Sequence, residues 1–185
     1  GKVFHKGDNA NAFDEYGGGF DWFGPKPEER INYDPEKLPE KIGKTATDWG
    51  AFPEHDSLMS DYKVAQYAVE KLNTKMNDPF FLAVGFFKPH VPWYTPRKWL
   101  DMFPLDEIQT PPYKKDDLND VPEIGKRVAE VPMMPTTEEL IKQGEWKKVI
   151  QAYLACVAFV DAQVGKVLEA LEKSEYANNT IVVLW

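Results

Sequence analysis

The stretch Pro79-Phe-Phe-Leu-Ala-Val-Gly-Phe-Phe-Lys-Pro-His-Val-Pro-Trp-Tyr-Thr-Pro96 decides how the rest of the chain is interpreted. Its first part, Phe80 to Phe87, contains no polar side chain, which is typical of a strand buried on both faces of a mostly parallel sheet. The prolines that follow fix their own φ and disfavour helical conformation in the residues before them. We therefore expect His90 in an extended, ordered segment at the carboxyl end of a strand, the edge where open α/β sheets bind ligands. An ordinary strand and an ordinary proline-rich loop would give the same pattern.

Length and composition restrict the classes of protein that the chain can represent. With 185 residues it suits one domain or part of a larger one. Its net charge of −8 and pI near 5.0 argue against a general nucleic-acid-binding protein, but they allow a local cationic pocket for a small anion. No apolar run approaches the roughly 20 residues that span a membrane. Because Trp185 ends the chain inside an apolar run, we expect a piece of a longer protein.

Four helices and a second strand accompany the central stretch. Hydrophobic periodicity and end signals predict helices over 60–76, 96–103, 136–144 and 145–174. Ser60 is the expected N-cap of the first helix, Thr95 caps the second, and Thr136 forms a capping box with Glu139. Thr180–Trp185 is apolar and β-branched, so we expect it to lie beside or near the first strand in one parallel sheet. The fold class is therefore α/β, with a mostly parallel sheet covered by helices on both faces.

The hydrophobic pattern of the longest helix predicts a buried face, with Asp161 on it and Cys156 beside it. Asp161 falls on the apolar stripe, where a carboxylate would need partners, and bonding to the backbone or to a neighbouring Tyr or Lys is the simpler interpretation. Cys156 flanks the stripe and is interpreted as a small core residue, because no nearby group would lower its pKa. It is the only cysteine, so no intrachain disulfide forms. The predicted stripe consists of Ile150, Tyr153, Leu154, Val157, Val164, Leu168 and Leu171.

Two of the three histidines stand beside lysines. His5 lies in Lys2-x-x-His5-Lys6 and His90 lies in Lys88-x-His90, whereas His55 has no lysine neighbour and is interpreted as a surface residue. Lysine supplies charge and hydrogen-bond donors, and histidine can donate to an oxyanion or protonate a leaving oxygen near neutral pH. Two such clusters in an acidic protein favour a site for a small, multiply oxygenated anion.

Three stretches resemble the sulfatases of the alkaline phosphatase superfamily, and among them the iduronate-2-sulfatase-like branch. Gly1-Lys2-Val3-Phe4-His5 is similar to the family's Gly-Lys-x-x-His element. Phe80-Phe-Leu-Ala-Val-Gly-Phe-Phe-Lys-Pro-His-Val-Pro92 is similar to its strand and Lys-Pro-His loop. Tyr153 to Gly165, followed by Asn178 to Trp185, resembles the helix and strand that precede its Ser-Asp-His-Gly metal motif. The resemblance implies that 1–185 is the central part of one catalytic domain, with irregular excursions at 1–58 and 104–135.

The resemblance also implies roles for individual residues. Lys2 would bind the sulfate, His5 would hydrogen-bond the hydroxyl of a hydrated formylglycine, and His90 would contact the ester and assist the leaving oxygen. We expect these three residues to converge within one cleft. Lys88, near the rim of that cleft, and Trp93 would help to bind the substrate. These roles suit sulfate transfer, because charge develops on the non-bridging oxygens and on the departing alkoxide.

The family's nucleophile and metal ligands are absent from this sequence. There is no Cys/Ser-x-Pro-x-Arg motif, which the family converts to formylglycine, and the calcium-binding aspartates are missing. The resemblance thus implies calcium and formylglycine as cofactors held outside this chain, and no metal ligand within it. It also implies a sulfated carbohydrate substrate, no nucleic-acid partner and a secreted, periplasmic or lysosomal location.

Two alternative functions stay open at this point. The first is a phosphoester or phosphonate hydrolase of the same superfamily. The second is a non-catalytic carbohydrate-binding module that uses Trp93, Tyr94 and Trp99 as exposed platforms for sugar rings. Asn178-Asn179-Thr180 matches a glycosylation sequon, although asparagines are also common in such turns for backbone reasons.

Overall fold

The structure, a computed structural model, describes residues 2–4, 10–18, 24–32, 34, 36, 46–129 and 133–185. Its helices are α1 (Ser60–Leu72), α2 (Arg97–Leu100), α3 (Glu123–Ala129), α4 (Thr137–Gln143) and α5 (Trp146–Lys173), and its strands are β1 (Trp49–Ala51) and β2 (Trp93–Thr95). Short 3-10 turns lie at Ala10–Ala12, Pro27–Glu29 and Asp56–Leu58. The fold is therefore mixed, with helices around a small sheet.

The sheet is parallel, as the sequence predicts, but other residues form it. β1 and β2 pair with Trp49 opposite Trp93 and Ala51 opposite Thr95. The ladder continues one residue beyond β1, where the Phe52 N–H donates to the Thr95 carbonyl at 3.0 Å. β2 thus begins directly after the Lys-Pro-His loop and fixes the far end of that loop.

The prediction of strands at 80–87 and 180–185 is wrong for the described residues. Neither segment belongs to a strand ladder, and Phe81 is 78% exposed rather than buried on both faces. A strand needs a row of backbone partners. Among the described residues, 80–87 receives one backbone hydrogen bond from another segment, in which the Lys2 N–H donates to the Gly85 carbonyl at 2.7 Å.

The helix predictions are confirmed in position and corrected at several ends. Helix α5 begins and ends within one residue of its predicted bounds, and Thr136 and Glu139 form the expected capping box before α4. The N-cap of α1 is Met59, so Ser60 lies inside the helix, which ends at Leu72. Thr95 belongs to β2 and caps nothing, because Pro96 precedes α2. The stretch 104–135 also contains α3, a helix that was not predicted.

The face of α5 that is buried differs from the predicted stripe. Its most buried positions carry mostly small side chains, with Phe159 as the large exception, and they face α1, β2 and α2. Tyr153, Val157 and Leu168 are instead more than a third exposed, and Asp161 is exposed, so its predicted burial is wrong. The fully buried residues of the helix are Ala152, Ala155, Cys156, Phe159 and Gln163.

Candidate anion site

The loop that carries His90 begins at a buried carboxylate. Asp61, in the first turn of α1, is 2% exposed. Its two oxygens accept the backbone N–H groups of Phe87 at 2.7 Å and of Lys88 at 2.8 Å. The chain then turns, because the His90 N–H donates to the Phe87 carbonyl at 3.0 Å. The loop is therefore a tight turn, and the expectation that His90 lies in an extended segment is wrong.

Lys88 points into the protein, so its predicted position at the rim of a cleft is wrong. The side chain is 5% exposed, and its ammonium donates to the Pro92 carbonyl. Burial lowers the pKa of this ammonium, while the nearby Cys156 and Asp61 act in the opposite direction. Lys88 therefore connects the two ends of the loop across its interior.

Trp93 also fastens this loop. It is half-buried, its indole N–H donates to the Pro89 carbonyl at 2.7 Å, and its ring packs edge-on against Tyr153 at 5.7 Å. Tyr94 is 5% exposed, and the Trp99 indole N–H donates to Asp56 at 2.8 Å. The idea that three exposed aromatic rings form sugar platforms is therefore wrong.

His90 is the exposed side chain at the tip of this loop. Its ring lies 4.6 Å from the Phe87 ring, centroid to centroid, and its Nδ1 lies 2.7 Å from the Val91 carbonyl oxygen. A carbonyl can only accept, so Nδ1 carries a hydrogen in this arrangement. Nε2 is then the nitrogen that can accept or donate a proton at a ligand.

Lys2 approaches the same phenyl ring. Its ammonium lies 5.2 Å from the centroid of Phe87, and the Lys88 ammonium lies 5.9 Å from that centroid. The backbone of Lys2 reaches this place only because Gly85 lacks a side chain. A Cβ at Gly85 would lie 2.4 Å from the Lys2 carbonyl carbon, a distance that real contacts do not allow. Lys2 and His90 thus converge on one ring, whereas His5 lies outside the described residues.

A second buried polar group lies beneath β1 and β2, and the sequence did not reveal it. Asp48 is 1% exposed and accepts the Tyr94 hydroxyl at 2.7 Å, the Ile31 N–H at 3.0 Å and the Trp49 N–H at 3.0 Å. Burial raises the pKa of the Asp48 carboxyl, although these hydrogen bonds and the nearby Arg30 act against the rise. Asp48 joins the irregular 24–32 segment to the sheet that follows the His90 loop.

Asp61 and Asp48 are the two residues of the site region that sequence reasoning missed as partners of the loop. Asp61 lies at the start of the first predicted helix, and no motif in the sequence assigns it a role. Nothing local in the sequence indicates that its partners lie near Phe87, since that contact joins residues far apart along the chain.

Cys156 is a core residue, as predicted. It is fully buried, and burial raises the pKa of its thiol to about 11. A thiol in this state carries too little negative charge at neutral pH to act as a nucleophile.

The part of the chain that the structure describes contains neither a cluster of metal-ligating side chains nor a helix that could span a membrane. Within those ranges, no three His, Cys, Asp or Glu side chains are grouped so that they could hold a metal ion. No helix of this part is both long and apolar enough to cross a membrane.

Comparisons with known proteins agree with the resemblance of the three stretches. A family model described as Sulfatase matches residues 2–185. A protein named sulfatase from Formosa agariphila is 53% identical over 189 residues, covering 100% of this chain and 37% of its own length. The iduronate 2-sulfatase of Mus musculus is 30% identical, over 98% of this chain and 36% of its own. The choline-sulfatase of Rhizobium meliloti is 24% identical, over 85% and 31% respectively.

The chain thus spans little more than a third of the length of the Formosa agariphila and Mus musculus relatives, at 37% and 36%. The family model nevertheless extends over almost every residue that the chain contains. The chain belongs to the sulfatase family, which is part of the alkaline phosphatase-like superfamily.

Proposed function

We propose that the full-length protein is a sulfuric ester hydrolase and that this chain supplies the side of its active site that binds the sulfate and the departing oxygen. The observation that carries this proposal is the convergence of Lys2 and His90 on the Phe87 ring, with distances of 5.2 Å and 4.6 Å to its centroid. A cation and a titratable ring at one place suit an ester of a small, charged oxyanion.

The two side chains would act on different oxygens. The Lys2 ammonium is suited to the non-bridging oxygens, where negative charge grows in the transition state. Protonated His90 can donate from Nε2 to the bridging oxygen while its Nδ1–H stays bonded to the Val91 carbonyl. As the S–O bond breaks, the proton from Nε2 converts that oxygen into a hydroxyl. Over the whole reaction one water is consumed, because its hydroxyl ends on sulfate and its remaining proton restores protonated His90. His5, on the same segment as Lys2, is proposed to contact the nucleophilic group.

Formylglycine and calcium, both outside this chain, would supply the nucleophile and further charge compensation. The proposal for them rests on family membership and not on any group of ligands among the described residues. The complete domain would then contain the mostly parallel sheet of the alkaline phosphatase-like superfamily.

The proposed substrate is a sulfated carbohydrate. The departing oxygen of a sugar is a poor leaving group, so a proton donor such as His90 lowers the barrier most for this class of ester. The mouse relative is named iduronate 2-sulfatase. Trp93 and Lys88 act, in this proposal, by holding the loop rather than by touching the sugar, since one is half-buried and the other is 5% exposed. A secreted, periplasmic or lysosomal location is proposed from the same relatives.

The test is the rate of sulfate release from a sulfated sugar by the full-length protein. His90→Ala should lower kcat by about a hundredfold or more, because one preorganised donor in the transition state is lost. His55→Ala is the matched control and should leave kcat unchanged, because that ring is 70% exposed and lies far along the chain from the loop.

Three results would overturn parts of this proposal. Equal rates for the wild type and His90→Ala would remove His90 from the site. Faster release of phosphate than of sulfate from matched esters would favour a phosphoester or phosphonate hydrolase. Sulfate release by residues 1–185 alone would place the nucleophile inside this chain.

A further inference from the structure

Asp61 is an unusual group to find beneath a catalytic loop. It is a carboxylate with 2% exposure, and burial raises its pKa even though two backbone N–H groups donate to it. A buried charge costs free energy unless hydrogen bonds and opposite charges compensate it. In return, the carboxylate accepts two backbone N–H groups that an apolar side chain at this place would leave without an acceptor.

The two donors to Asp61 are consecutive and stand directly before the exposed histidine. The Phe87 and Lys88 N–H groups lie 2.7 Å and 2.8 Å from separate carboxylate oxygens. Two bonds to one rigid, planar group fix the direction of the chain as well as its position, as one bond would not. His90 follows two residues later, so the direction set at 87–88 determines where its ring emerges.

The loop beyond Asp61 has little remaining freedom. The Lys88 ammonium donates to the Pro92 carbonyl, and the Trp93 indole donates to the Pro89 carbonyl at 2.7 Å. The His90 ring is itself fixed by the contact between Nδ1 and the Val91 carbonyl at 2.7 Å. Asp61 is the anchor of this chain of contacts on the α1 side, and β2 anchors the opposite side.

We propose that Asp61 is a positioning residue, which orients His90 through the backbone of Phe87 and Lys88 and thereby acts on the departure of the sugar oxygen. This inference rests on the proposed function, because His90 must assist that oxygen for its orientation to affect turnover. In this proposal the buried carboxylate of Asp61 acts on the reaction through the position of His90 and not through contact with the substrate.

The test is a double-mutant cycle in the full-length protein. Asp61→Asn replaces one acceptor oxygen by an N–H₂ group, which opposes a backbone N–H, so the loop must shift. A shift of about 1 Å at a catalytic group costs up to about a hundredfold in rate, and we expect kcat to fall about tenfold or more with little change in KM. In the His90→Ala background, the same substitution should lower kcat by less than about twofold, because the route of its action is gone.

Asp56→Asn is the matched control. Like Asp61, Asp56 is a carboxylate that accepts an N–H group, in this case the indole N–H of Trp99 at 2.8 Å. It pairs with Lys98, and its recorded side-chain contacts do not include the His90 loop. Both substitutions should lower the unfolding temperature, whereas Asp61→Asn alone should lower kcat. If Asp61→Asn does not fold, Asp61→Glu keeps both acceptors and displaces them by one methylene, and it should show the same dependence on His90.

A spectroscopic measurement separates this inference from the proposed function. In protein labelled with ¹⁵N-histidine, Asp61→Asn should shift the Nδ1 and Nε2 resonances of His90, and Asp56→Asn should not. Equal falls in kcat with and without His90, or unshifted His90 resonances, would show that Asp61 is only structural. A wild-type protein without sulfate release would overturn the proposed function, and the resonances would still decide whether Asp61 orients His90.

Discussion

The loop at 87–93 follows the apolar stretch 80–87, which looks like the segment 180–185 in the sequence, yet the loop and that segment differ in the contacts that their residues make. The loop is held by side-chain contacts to Asp61, Lys88 and Trp93, all within the described residues. In the segment, Ile181 is 90% exposed and Trp185 is 94% exposed. Apolar composition therefore indicates that a segment is suited to burial, but it does not indicate what buries it.

The difference shows that buried polar contacts, more than apolar composition, determine the geometry of the loop. Buried polar groups such as Asp61 and Asp48 have specific partners, so the loop keeps its geometry without the sheet that was predicted around it. The apolar residues at 181–185 have no such local partners among the described residues, and their exposed surface is available to any apolar surface.

The largest expected effect concerns residues 181–185. Residues 1–185 expressed alone should self-associate, because Ile181, Leu184 and Trp185 are each at least 88% exposed. Replacing these three by serine should raise the monomeric fraction measured by size-exclusion chromatography with light scattering. A wild-type piece that is monomeric and unfolds in one cooperative transition would remove the contrast between the two regions.

A smaller effect, on stability, is expected where the buried Asp48 carboxylate accepts the Tyr94 hydroxyl. Tyr94→Phe removes the hydroxyl that donates to Asp48 at 2.7 Å and leaves a buried carboxylate with one donor fewer. The free energy of unfolding of the full-length protein should fall by about 1–3 kcal/mol, measured by denaturant titration. Tyr153→Phe is the control, because that ring is 43% exposed, and it should change stability by about 0.5 kcal/mol or less. Equal effects would mean that the Asp48 contact contributes nothing.

The smallest expected effect is a dependence on pH. Burial raises the pKa of Asp48 in the folded protein above its value of 3.8 in the unfolded chain. Between these two values, the folded state binds a proton that the unfolded state does not, so stability increases as pH falls through the folded pKa towards 3.8. The stability of the wild type relative to Asp48→Asn should therefore rise on acidification from pH 7, as measured by thermal unfolding at several pH values. A difference that falls on acidification would contradict the direction of the shift.

Local signals predicted the helices well. Thr136, Glu139 and Gly144 mark the ends of α4 through contacts that span only a few residues, and α5 has the periodicity of its full length. The buried face of α5 could not be read in the same way. Large residues such as Tyr153 were expected inside, but the closest approach to α1 and β2 requires small ones such as Ala155.

The site was predicted in its outline only. The lysine–histidine clusters led to Lys2 and His90, which do converge on Phe87, while the role of each stays a proposal. Two buried carboxylates were not predicted, because their partners lie far away in the sequence. Asp61 accepts a hydrogen bond from the loop at Lys88, and Asp48 accepts one from Tyr94 in the strand that follows the loop. Three-residue strands such as β2 show no alternation, so the sheet that β1 and β2 form within the described ranges was missed as well.

The close approach of Lys2 to Gly85 has a consequence for inherited variation. A single methyl group at this position would collide with the backbone that carries the proposed sulfate-binding cation, at 2.4 Å. The mildest missense change available, glycine to alanine, would therefore act as severely as a change in the lysine itself. Among coding variants of this gene, position 85 should admit glycine alone, although glycine has no side chain that could take part in the chemistry.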